Sequence, residues 1–509
     1  MFVCLPPSCI LTVPTTSADS TELSSATIHA GQSTVFVVFG FGSLLAAKKK
    51  ASATDSFLPA NMANLATLET QPTIGLIGMG AMGRMYAKYL SQGGWAKIHV
   101  CDLPTKYEAL KAEYEGVSGI VVLKDGHAVS RSSDFIMYAV EAEFIERVVA
   151  EYGPSTKLNA IVSGQTSVKA PEKAAFEKHL PADTEIVSCH SLHGPSVSPV
   201  GQPLVLIRHR ASVDSLNLVE KILSCFGSRY VYMSYDEHDL VTANTQAVTH
   251  AAFLSMGTAW ASIQTYPWEH GLYVGGIETA KVNIMLRIYS NKWHVYAGLA
   301  ILNPSAKIQI DQFAASATAL FTMMLGGDAS PETENKFRER IEWAGRTVFG
   351  AEKTRTPILL SSDVLDRFSL GTPTGNKTDN ANSHLSLLAM VDCWAHLNIQ
   401  PFEHLLLAAT PIFRLFLGVA EHLFRSPTLL QSAIHSALHD SWHRQDDLEF
   451  VVAARGWSQC VSFGSFELYR RRFDETRAFF ESRFEEAGVM GGEMIKAIME
   501  SEKLREEKS

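Results

Sequence analysis

An apolar segment that runs directly into a glycine-rich turn constrains this chain more than any other feature. Residues 74–83 read Ile-Gly-Leu-Ile-Gly-Met-Gly-Ala-Met-Gly, a short strand pattern followed by the spacing G-x-G-x-x-G and a helical pattern. Gly78 permits a tight turn, Gly80 lets the backbone approach a phosphate group, and Gly83 lets the helix pack closely on the strand. The motif therefore predicts a dinucleotide whose pyrophosphate lies at the N-terminus of this helix.

The sequence from residue 73 to residue 234 alternates between strand patterns and helix patterns. Near-continuous apolar strands separated by helices indicate a mostly parallel sheet that is covered on both faces. The fold class we predict is α/β, with a Rossmann-type doubly wound N-terminal domain followed by one or more all-α C-terminal domains. The eight predicted strands are 73–77, 97–101, 120–123, 135–140, 160–163, 186–189, 204–207 and 231–233.

Helical patterns without strands begin at residue 236 and suggest how the 509 residues divide. We expect residues 71–235 to bind the dinucleotide, residues 236–350 to form a helical domain for substrate binding and dimerisation, and residues 384–500 to form a second helical domain. Residues 351–383 are expected to be a linker and residues 501–509 a tail. We expect residues 1–70 to be disordered or to result from a wrongly predicted start, with Met62 as the initiator. A transit peptide is less favoured, because no arginine precedes Arg84.

The composition excludes several classes of protein. The formal net charge of −9 argues against a nucleic-acid-binding surface. No apolar stretch approaches the roughly 20 residues that span a membrane. The seven cysteines form no C-x-x-C pair, so we expect free thiols and no metal. His435, His439 and His443 stand on one helix face beside Asp440, but a solvated or interface face is favoured over a metal site because no further ligand is in evidence.

The ribose of the dinucleotide is expected at Asp102, which lies 19 residues beyond Gly83 at the end of the second predicted strand. An acidic residue here usually bonds the ribose 2′-hydroxyl group, which favours NAD. Arg84, Lys106 and Tyr107 are near enough in the sequence to help hold a 2′-phosphate group, so both NADP and NAD remain open. The candidate cofactor-binding residues are Gly78, Met79, Gly80, Ala81, Met82, Gly83 and Asp102.

The candidate catalytic residues follow later strands of the same sheet. His190 comes directly after the sixth predicted strand, on the edge where ligands of doubly wound sheets bind. A histidine there can take the proton from a hydroxyl group while hydride leaves the same carbon. Ser167 follows the fifth strand, where its hydroxyl group can orient a substrate or the nicotinamide, cap the next helix, or do both.

Two polar residues stand in apolar helical patterns of the region that follows. His250 falls on an apolar helix face, where it can also be a satisfied core histidine. Arg287 lies between Leu286 and Ile288, and an arginine buried there is costly unless it meets an anion. A carboxylate ligand would satisfy the guanidinium group in bidentate fashion, and an internal salt bridge is an equally good explanation.

Four segments together make the chain resemble the fungal prephenate dehydrogenases of tyrosine biosynthesis and, more distantly, bacterial enzymes of that activity. The first two are Gly-Gln-Thr-Ser at 164–167 and His-Ser-Leu-His-Gly-Pro at 190–195. The other two are the longer segments 245–257 and 286–296. The resemblance runs from about residue 73 to the last helices.

The resemblance implies oxidative decarboxylation of prephenate to 4-hydroxyphenylpyruvate and CO2, with NADP as the cofactor. It implies that His190 is the base for the ring hydroxyl group and that Arg287 binds a substrate carboxylate, with Ser167 and His250 nearby. We further expect a cytoplasmic homodimer with no nucleic-acid or membrane partner.

Three alternatives stay open. They are arogenate dehydrogenase, a hydroxyacid or imine reductase with a helical C-terminal region, and a non-enzymatic NADP-sensing regulator on a dehydrogenase scaffold.

Overall fold

The computed structural model describes residues 71–195, 197–326, 330–350, 358, 362–371, 381–404 and 411–506. The expectations for residues 1–70, for most of the 351–383 linker and for the end of the tail fall outside these residues.

One eight-stranded sheet forms the first part of the described chain, with the strand order β3-β2-β1-β4-β5-β6-β7-β8. All neighbouring strands pair in parallel except β6 and β7, which are antiparallel. The predicted α/β class, with its mostly parallel sheet, is confirmed. The strands are β1 (Ile74–Ile77), β2 (Ile98–Cys101), β3 (Ile120–Val122), β4 (Phe135–Tyr138), β5 (Ile161–Gly164), β6 (Glu185–Ser191), β7 (Pro203–Arg210) and β8 (Arg229–Tyr232).

Six helices connect these strands and cover the sheet. The chain turns back at β1, which pairs with β2 on one side and with β4 on the other, and the ligand-binding crevice of such sheets opens at this point. The helices are α1 (Ala81–Gln92), α2 (Tyr107–Glu113), α3 (Gly126–Ser132), α4 (Ile145–Tyr152), α5 (Ala170–His179) and α6 (Val213–Leu223).

The described chain beyond the sheet is helical and begins with a 28-residue helix, α7 (Tyr235–Ser262). The start of α7 is fixed by a capping box, in which Ser234 and Glu237 satisfy each other's backbone N–H groups. The helices that follow are α8 (Gly276–Ser290), α9 (His294–Leu302), α10 (Pro304–Leu325), α11 (Pro331–Phe349), α12 (Ser362–Leu365), α13 (Leu385–His396), α14 (Pro411–Arg425), α15 (Pro427–His439), α16 (Arg444–Ser462), α17 (Phe466–Phe480) and α18 (Phe484–Glu506).

The two predicted helical domains share one apolar core. Trp260 and Phe313 from the first predicted domain belong to the same buried cluster as Trp394 and Trp457 from the second, while the sheet has apolar clusters of its own. The helices of 384–500 therefore complete the core of α7–α11. The sequence concealed this, because a polar segment between two helical patterns looks like a domain boundary whether or not the helices pack together.

The helical region meets the sheet at the carboxyl ends of β4 and β5. Leu299 of α9 packs with Ala142, which follows β4, and with Val168, which follows β5. Asn303 donates a hydrogen bond from Nδ2 to the backbone oxygen of Asp239 in α7 at 2.8 Å. The crevice expected to hold the dinucleotide is therefore bordered by α7 and α9. No helix among the described residues is long and apolar enough to cross a membrane.

Candidate active site

The three glycines of the turn have the roles that the motif predicts. Gly78 has a φ of 101°, a conformation that favours glycine. A Cβ atom on Gly83 would lie 2.1 Å from the backbone oxygen of Gly78, so α1 can approach the turn only without a side chain there. A Cβ atom on Gly80 would meet no atom within 4 Å, so the space over the N-terminus of α1 is open. The turn and the helix N-terminus fit a pyrophosphate.

Asp102 directly follows β2, and two cations stand beside it. Its Oδ1 accepts the backbone N–H of Leu103 at 2.7 Å, and its Oδ2 lies 3.3 Å from Nζ of Lys106. Arg84 of α1 forms two 2.7 Å hydrogen bonds to the carboxylate of Glu113. The hydrogen bond and the charge of Arg84 hold the pKa of Glu113 below its usual value.

His190 lies within β6 and is 9% exposed. Its Nδ1 is 2.7 Å from Nε2 of His238, which is fully buried in the first turn of α7. Nδ1 of His238 is 2.9 Å from Oδ1 of Asp239. The carboxylate of Asp239 also accepts the backbone N–H groups of Lys169 and Ala170, each at 2.7 Å. A continuous hydrogen-bonded chain thus joins the N-terminus of α5 to His190.

The donors and acceptors in this chain fix the proton on each ring. Both oxygens of Asp239 accept N–H groups, so Nδ1 of His238 must donate and its Nε2 must accept. Nδ1 of His190 therefore carries the proton, which leaves the lone pair of His190 on Nε2. Burial, assisted by the positive charge of Lys169, holds the pKa of both histidines well below its usual value. His190 is thus a neutral base with a single free nitrogen.

A buried ion pair lies beneath His190. The ammonium group of Lys169 is 2.9 Å from Oε2 of Glu172, and both side chains are fully buried. Lys169 also donates to the backbone oxygens of Gly164 at 2.9 Å and of Cys189 at 2.8 Å, which are the ends of β5 and β6. The satisfied pair holds together the two strand ends that carry Ser167 and His190.

Ser167 is half-buried on the loop that follows β5, on the same sheet edge as His190. Its neighbour Gln165 accepts a hydrogen bond at Oε1 from the hydroxyl group of Tyr86 at 2.8 Å, and the same hydroxyl group is 2.7 Å from Oγ of Ser191. Tyr86 therefore connects the cofactor-binding helix α1 to the loop of Ser167 and to the end of β6.

The structure corrects the expectation that Arg287 is buried. Leu286 and Ile288 beside it are buried, but Arg287 is exposed, because its position falls on the side of α8 that faces solvent. No ion pair with a described carboxylate is formed by its side chain, so the internal salt bridge considered above is not observed among the described residues. Its positive charge lies close enough to Tyr296 to lower the pKa of that hydroxyl group, although burial raises that pKa overall to about 12.

His250 lies twelve residues after His238 on α7, which places it about 18 Å further along the helix. Its ring meets Tyr296 and Phe416 edge-on, with centroid distances of 4.8 and 5.5 Å. Burial lowers the pKa of His250 to about 3, and its Nδ1 has no hydrogen-bond partner. The candidates thus form two groups, with His190 and Ser167 at the sheet edge and His250 and Arg287 around Tyr296. A substrate role for His250 and Arg287 stays a prediction.

The histidines at the end of α15 serve the helical core. Nδ1 of His443 is 2.7 Å from Asp447 and its Nε2 is 2.9 Å from Oγ of Ser436, so neither ring nitrogen is available. Among the described residues, no group of three or more histidine, cysteine or acidic side chains is arranged to hold a metal ion.

Sequence reasoning missed His238 and Asp239, although one signal was present. The capping box at Ser234 places both in the first turn of a helix, where the helix dipole disfavours a positive charge. A histidine in that turn is expected to be neutral and available as a hydrogen-bond acceptor. Its partner His190 lies 48 residues earlier and comes close only when α7 docks on the sheet.

Two family models match this chain. Residues 73–164 match a family described as NADP oxidoreductase coenzyme F420-dependent. Residues 247–500 match a family described as a 6-phosphogluconate dehydrogenase C-terminal domain, which includes both predicted helical domains in one unit.

Known proteins resemble the chain over most of its length. It is 53% identical to the probable prephenate dehydrogenase [NADP(+)] of Schizosaccharomyces pombe, over 82% of this chain and 95% of that protein. It is 49% identical to the prephenate dehydrogenase [NADP(+)] of Saccharomyces cerevisiae, over 81% of this chain and 91% of that protein. A crystal structure of the Aquifex aeolicus prephenate dehydrogenase with hydroxyphenyl propionate and NAD+ is 18% identical, with a TM-score of 0.42, and covers 53% of this chain and 96% of that chain.

Proposed function

Because this chain belongs to the family of the fungal NADP-dependent prephenate dehydrogenases, we propose that His190 is the base of its reaction. The enzyme converts prephenate and NADP+ to 4-hydroxyphenylpyruvate, CO2 and NADPH, a step of tyrosine biosynthesis. The observation that carries the assignment of His190 is the chain from Asp239 through His238, because it leaves the lone pair of His190 on Nε2.

The residues around the glycine turn fit the cofactor. The open space over Gly80 and the free N–H groups at the start of α1 suit a pyrophosphate, and Asp102 lies beside the expected ribose. When bound there, NADP+ supplies the hydride acceptor at the carboxyl edge of the sheet, on which His190 and Ser167 lie.

His190 manages the proton of the substrate hydroxyl group. Nε2 accepts this proton as hydride leaves the carbon that bears the hydroxyl group. The bond to the ring carboxylate breaks, its electron pair enters the ring, and CO2 departs as the ring becomes aromatic. His190 then returns the proton to the phenolate oxygen, so no net proton is consumed. While His190 is protonated, His238 accepts a stronger hydrogen bond and the Asp239 carboxylate offsets the positive charge.

The other predicted site residues are proposed to bind the substrate. Ser167 is placed to donate a hydrogen bond to the substrate or the nicotinamide. Prephenate carries two carboxylates, and Arg287 offers an exposed guanidinium group with no described acidic partner. We propose that Arg287 pairs with one of these carboxylates and that His250, next to Tyr296, helps to shape the same end of the pocket.

We also propose a cytoplasmic homodimer that associates through the helical region. Lys307 donates to the backbone oxygen of Ser462 at 3.3 Å, so the start of α10 lies beside the end of α16. Large apolar side chains are exposed there and on α16, with Ile308 at 63%, Val452 at 56% and Phe463 at 75%. Exposed apolar side chains of this kind are typical of interfaces. Analytical ultracentrifugation tests the dimer, which replacement of Phe463 and Val452 by Ser should weaken.

An assay of four combinations tests the activity. Prephenate or arogenate is supplied with NADP+ or NAD+, and the reduced cofactor and CO2 are measured together. We expect rapid turnover with prephenate and NADP+, with one CO2 for each NADPH. A strong preference for arogenate would make the enzyme an arogenate dehydrogenase, and turnover of neither substrate despite tight NADP+ binding would make it a regulator.

A further inference from the structure

Arg84 stands between the glycine turn and Asp102. Its Nη1 donates to the backbone oxygen of Met79, which lies between the first two glycines of the motif. Its charge is also close enough to Asp102 for the two to interact, which contributes to the raised pKa of Arg84. A guanidinium group in this place lies next to the expected adenosine ribose, since that ribose connects the pyrophosphate to the end of β2.

Lys106 approaches the same place from the other side. It ends the short 3-10 helix that follows Asp102, and its ammonium group is 3.3 Å from Oδ2 of that residue. The side chains of Lys106 and Arg84 are 57% and 42% exposed, so both can reach a ligand in the crevice. Asp102 is only 11% exposed and is held by the backbone N–H of Leu103.

The charges explain how a carboxylate and a 2′-phosphate group can share this corner. An exposed ion pair contributes about 0–1 kcal/mol, so the pairs of Arg84 with Glu113 and of Lys106 with Asp102 are easily exchanged. A hydrogen bond to a charged group contributes about 1.5–3 kcal/mol. A phosphate dianion that meets both cations therefore gains more than the two surface pairs lose, and Asp102 remains neutralised from its other side by the backbone of Leu103.

We propose that Arg84 and Lys106 together bind the 2′-phosphate group of NADP+ and so determine the preference of this enzyme for NADP+ over NAD+. The inference rests on the proposed function only in taking NADP+ as the cofactor. Arg84 would act from the side of the glycine turn, and Lys106 from the end of β2.

Binding of NADP+ and NAD+, which differ only in the 2′-phosphate group, tests the proposal by calorimetry without any turnover. Arg84→Met and Lys106→Met should each weaken NADP+ binding about tenfold or more, the loss of one charge-assisted hydrogen bond, and change NAD+ binding less than about threefold. Asp102→Asn should act in the opposite direction, because it removes a negative charge beside the phosphate and the acceptor for the 2′-hydroxyl group of NAD+.

Lys88→Met is the matched control, since it removes a positive charge one turn further along α1. Its ratio of NADP+ to NAD+ affinity should equal that of the unmodified enzyme. Equal weakening of both cofactors by Arg84→Met and Lys106→Met, or an equal effect of Lys88→Met, would overturn the inference. The proposed function has a separate readout: if the unmodified enzyme oxidises prephenate with NADP+ while these variants keep its cofactor preference, only the phosphate assignment fails.

Discussion

Nδ1 of His190 lies 2.7 Å from Nε2 of His238. This contact links a strand of the cofactor-binding sheet to the first helix of the helical region, and it occupies one of the two ring nitrogens of His190. The reactive nitrogen is thus selected by a residue outside the sheet. Any change that loosens α7 from the sheet should therefore affect the chemical step.

Asp239 is predicted to act as a positioning residue. Asp239→Asn should lower kcat about tenfold or more, because an amide can present its NH2 group to His238 and reverse the order of donors and acceptors. The Michaelis constants for prephenate and NADP+ should change much less. Steady-state kinetics with each substrate varied in turn measure this split.

A stability measurement separates the two roles of Asp239. The residue also satisfies the N–H groups of Lys169 and Ala170, so Asp239→Asn should cost about 0.5–2 kcal/mol in the free energy of unfolding, as the loss of a helix cap does. Ser212→Ala removes a comparable cap from α6, away from the site, and should cost similar stability at unchanged kcat. If both variants lost kcat alike, the role of Asp239 would be structural only.

Stability should fall as the pH is lowered from about 6.5 toward 4. The pKa of His250 is lowered to about 3 and that of His384 to about 4, and those of His190 and His238 are lowered further still from the usual range, chiefly by burial. Below pH 6.5 the unfolded chain binds protons at these rings and the folded chain does not. Each ring then contributes a slope of up to about 1.4 kcal/mol per pH unit.

The variant His250→Phe isolates one of these contributions. A phenyl ring suits the edge-on contacts with Tyr296 and Phe416 and cannot bind a proton. Chemical denaturation at pH 7.5 and pH 5.5 should show a smaller loss of stability for His250→Phe than for the unmodified enzyme. Identical losses would mean that His250 is already protonated in the folded protein at pH 5.5.

The glycine turn provides a matched pair of substitutions. Gly80→Ala places a methyl group in open space, so the fold should keep its Tm while NADP+ binding weakens about tenfold, because the phosphate can no longer approach the backbone. Gly83→Ala places a methyl group 2.1 Å from the backbone oxygen of Gly78 and should destabilise the fold by about 1–3 kcal/mol. Thermal unfolding and calorimetry with NADP+ distinguish the two, and unweakened NADP+ binding by Gly80→Ala would place the pyrophosphate elsewhere.

Arg287→Ala should raise the KM for prephenate about tenfold or more and leave the KM for NADP+ unchanged, because a charge-assisted contact with a substrate carboxylate contributes about 1.5–3 kcal/mol. Arg346, an exposed arginine of α11 paired with Glu342, is the control: Arg346→Ala should leave both constants unchanged. An unaltered KM for prephenate in Arg287→Ala would assign the residue to the protein surface.

The sequence predicts those features that depend on neighbouring residues. The eight strands, the turn at Gly78 and the place of His190 at the sheet edge all follow from local patterns, and the structure shows each of them. The exposure of Arg287 was not predictable in the same way, because a helix with apolar residues on most sides does not reveal which narrow strip is left open.

Features that depend on docking were missed. The chain from Asp239 to His190 joins residues on α7 to a strand 48 residues earlier, and no spacing in the sequence encodes that contact. The shared core of the helices on either side of residues 351–383 was missed for the same reason, since Trp260 and Trp394 come together only in the tertiary structure.

A double-mutant cycle on His190 and His238 tests the central claim most directly. Rates of NADPH formation from prephenate are measured at saturating substrates for His190→Asn, His238→Met and the double variant. We predict that His190→Asn lowers kcat about 10²–10⁴-fold and that His238→Met lowers it about tenfold or more. If His238 acts only through His190, the double variant will be no slower than His190→Asn alone. Losses that multiply in the double variant would show that the two histidines act independently and would contradict this account.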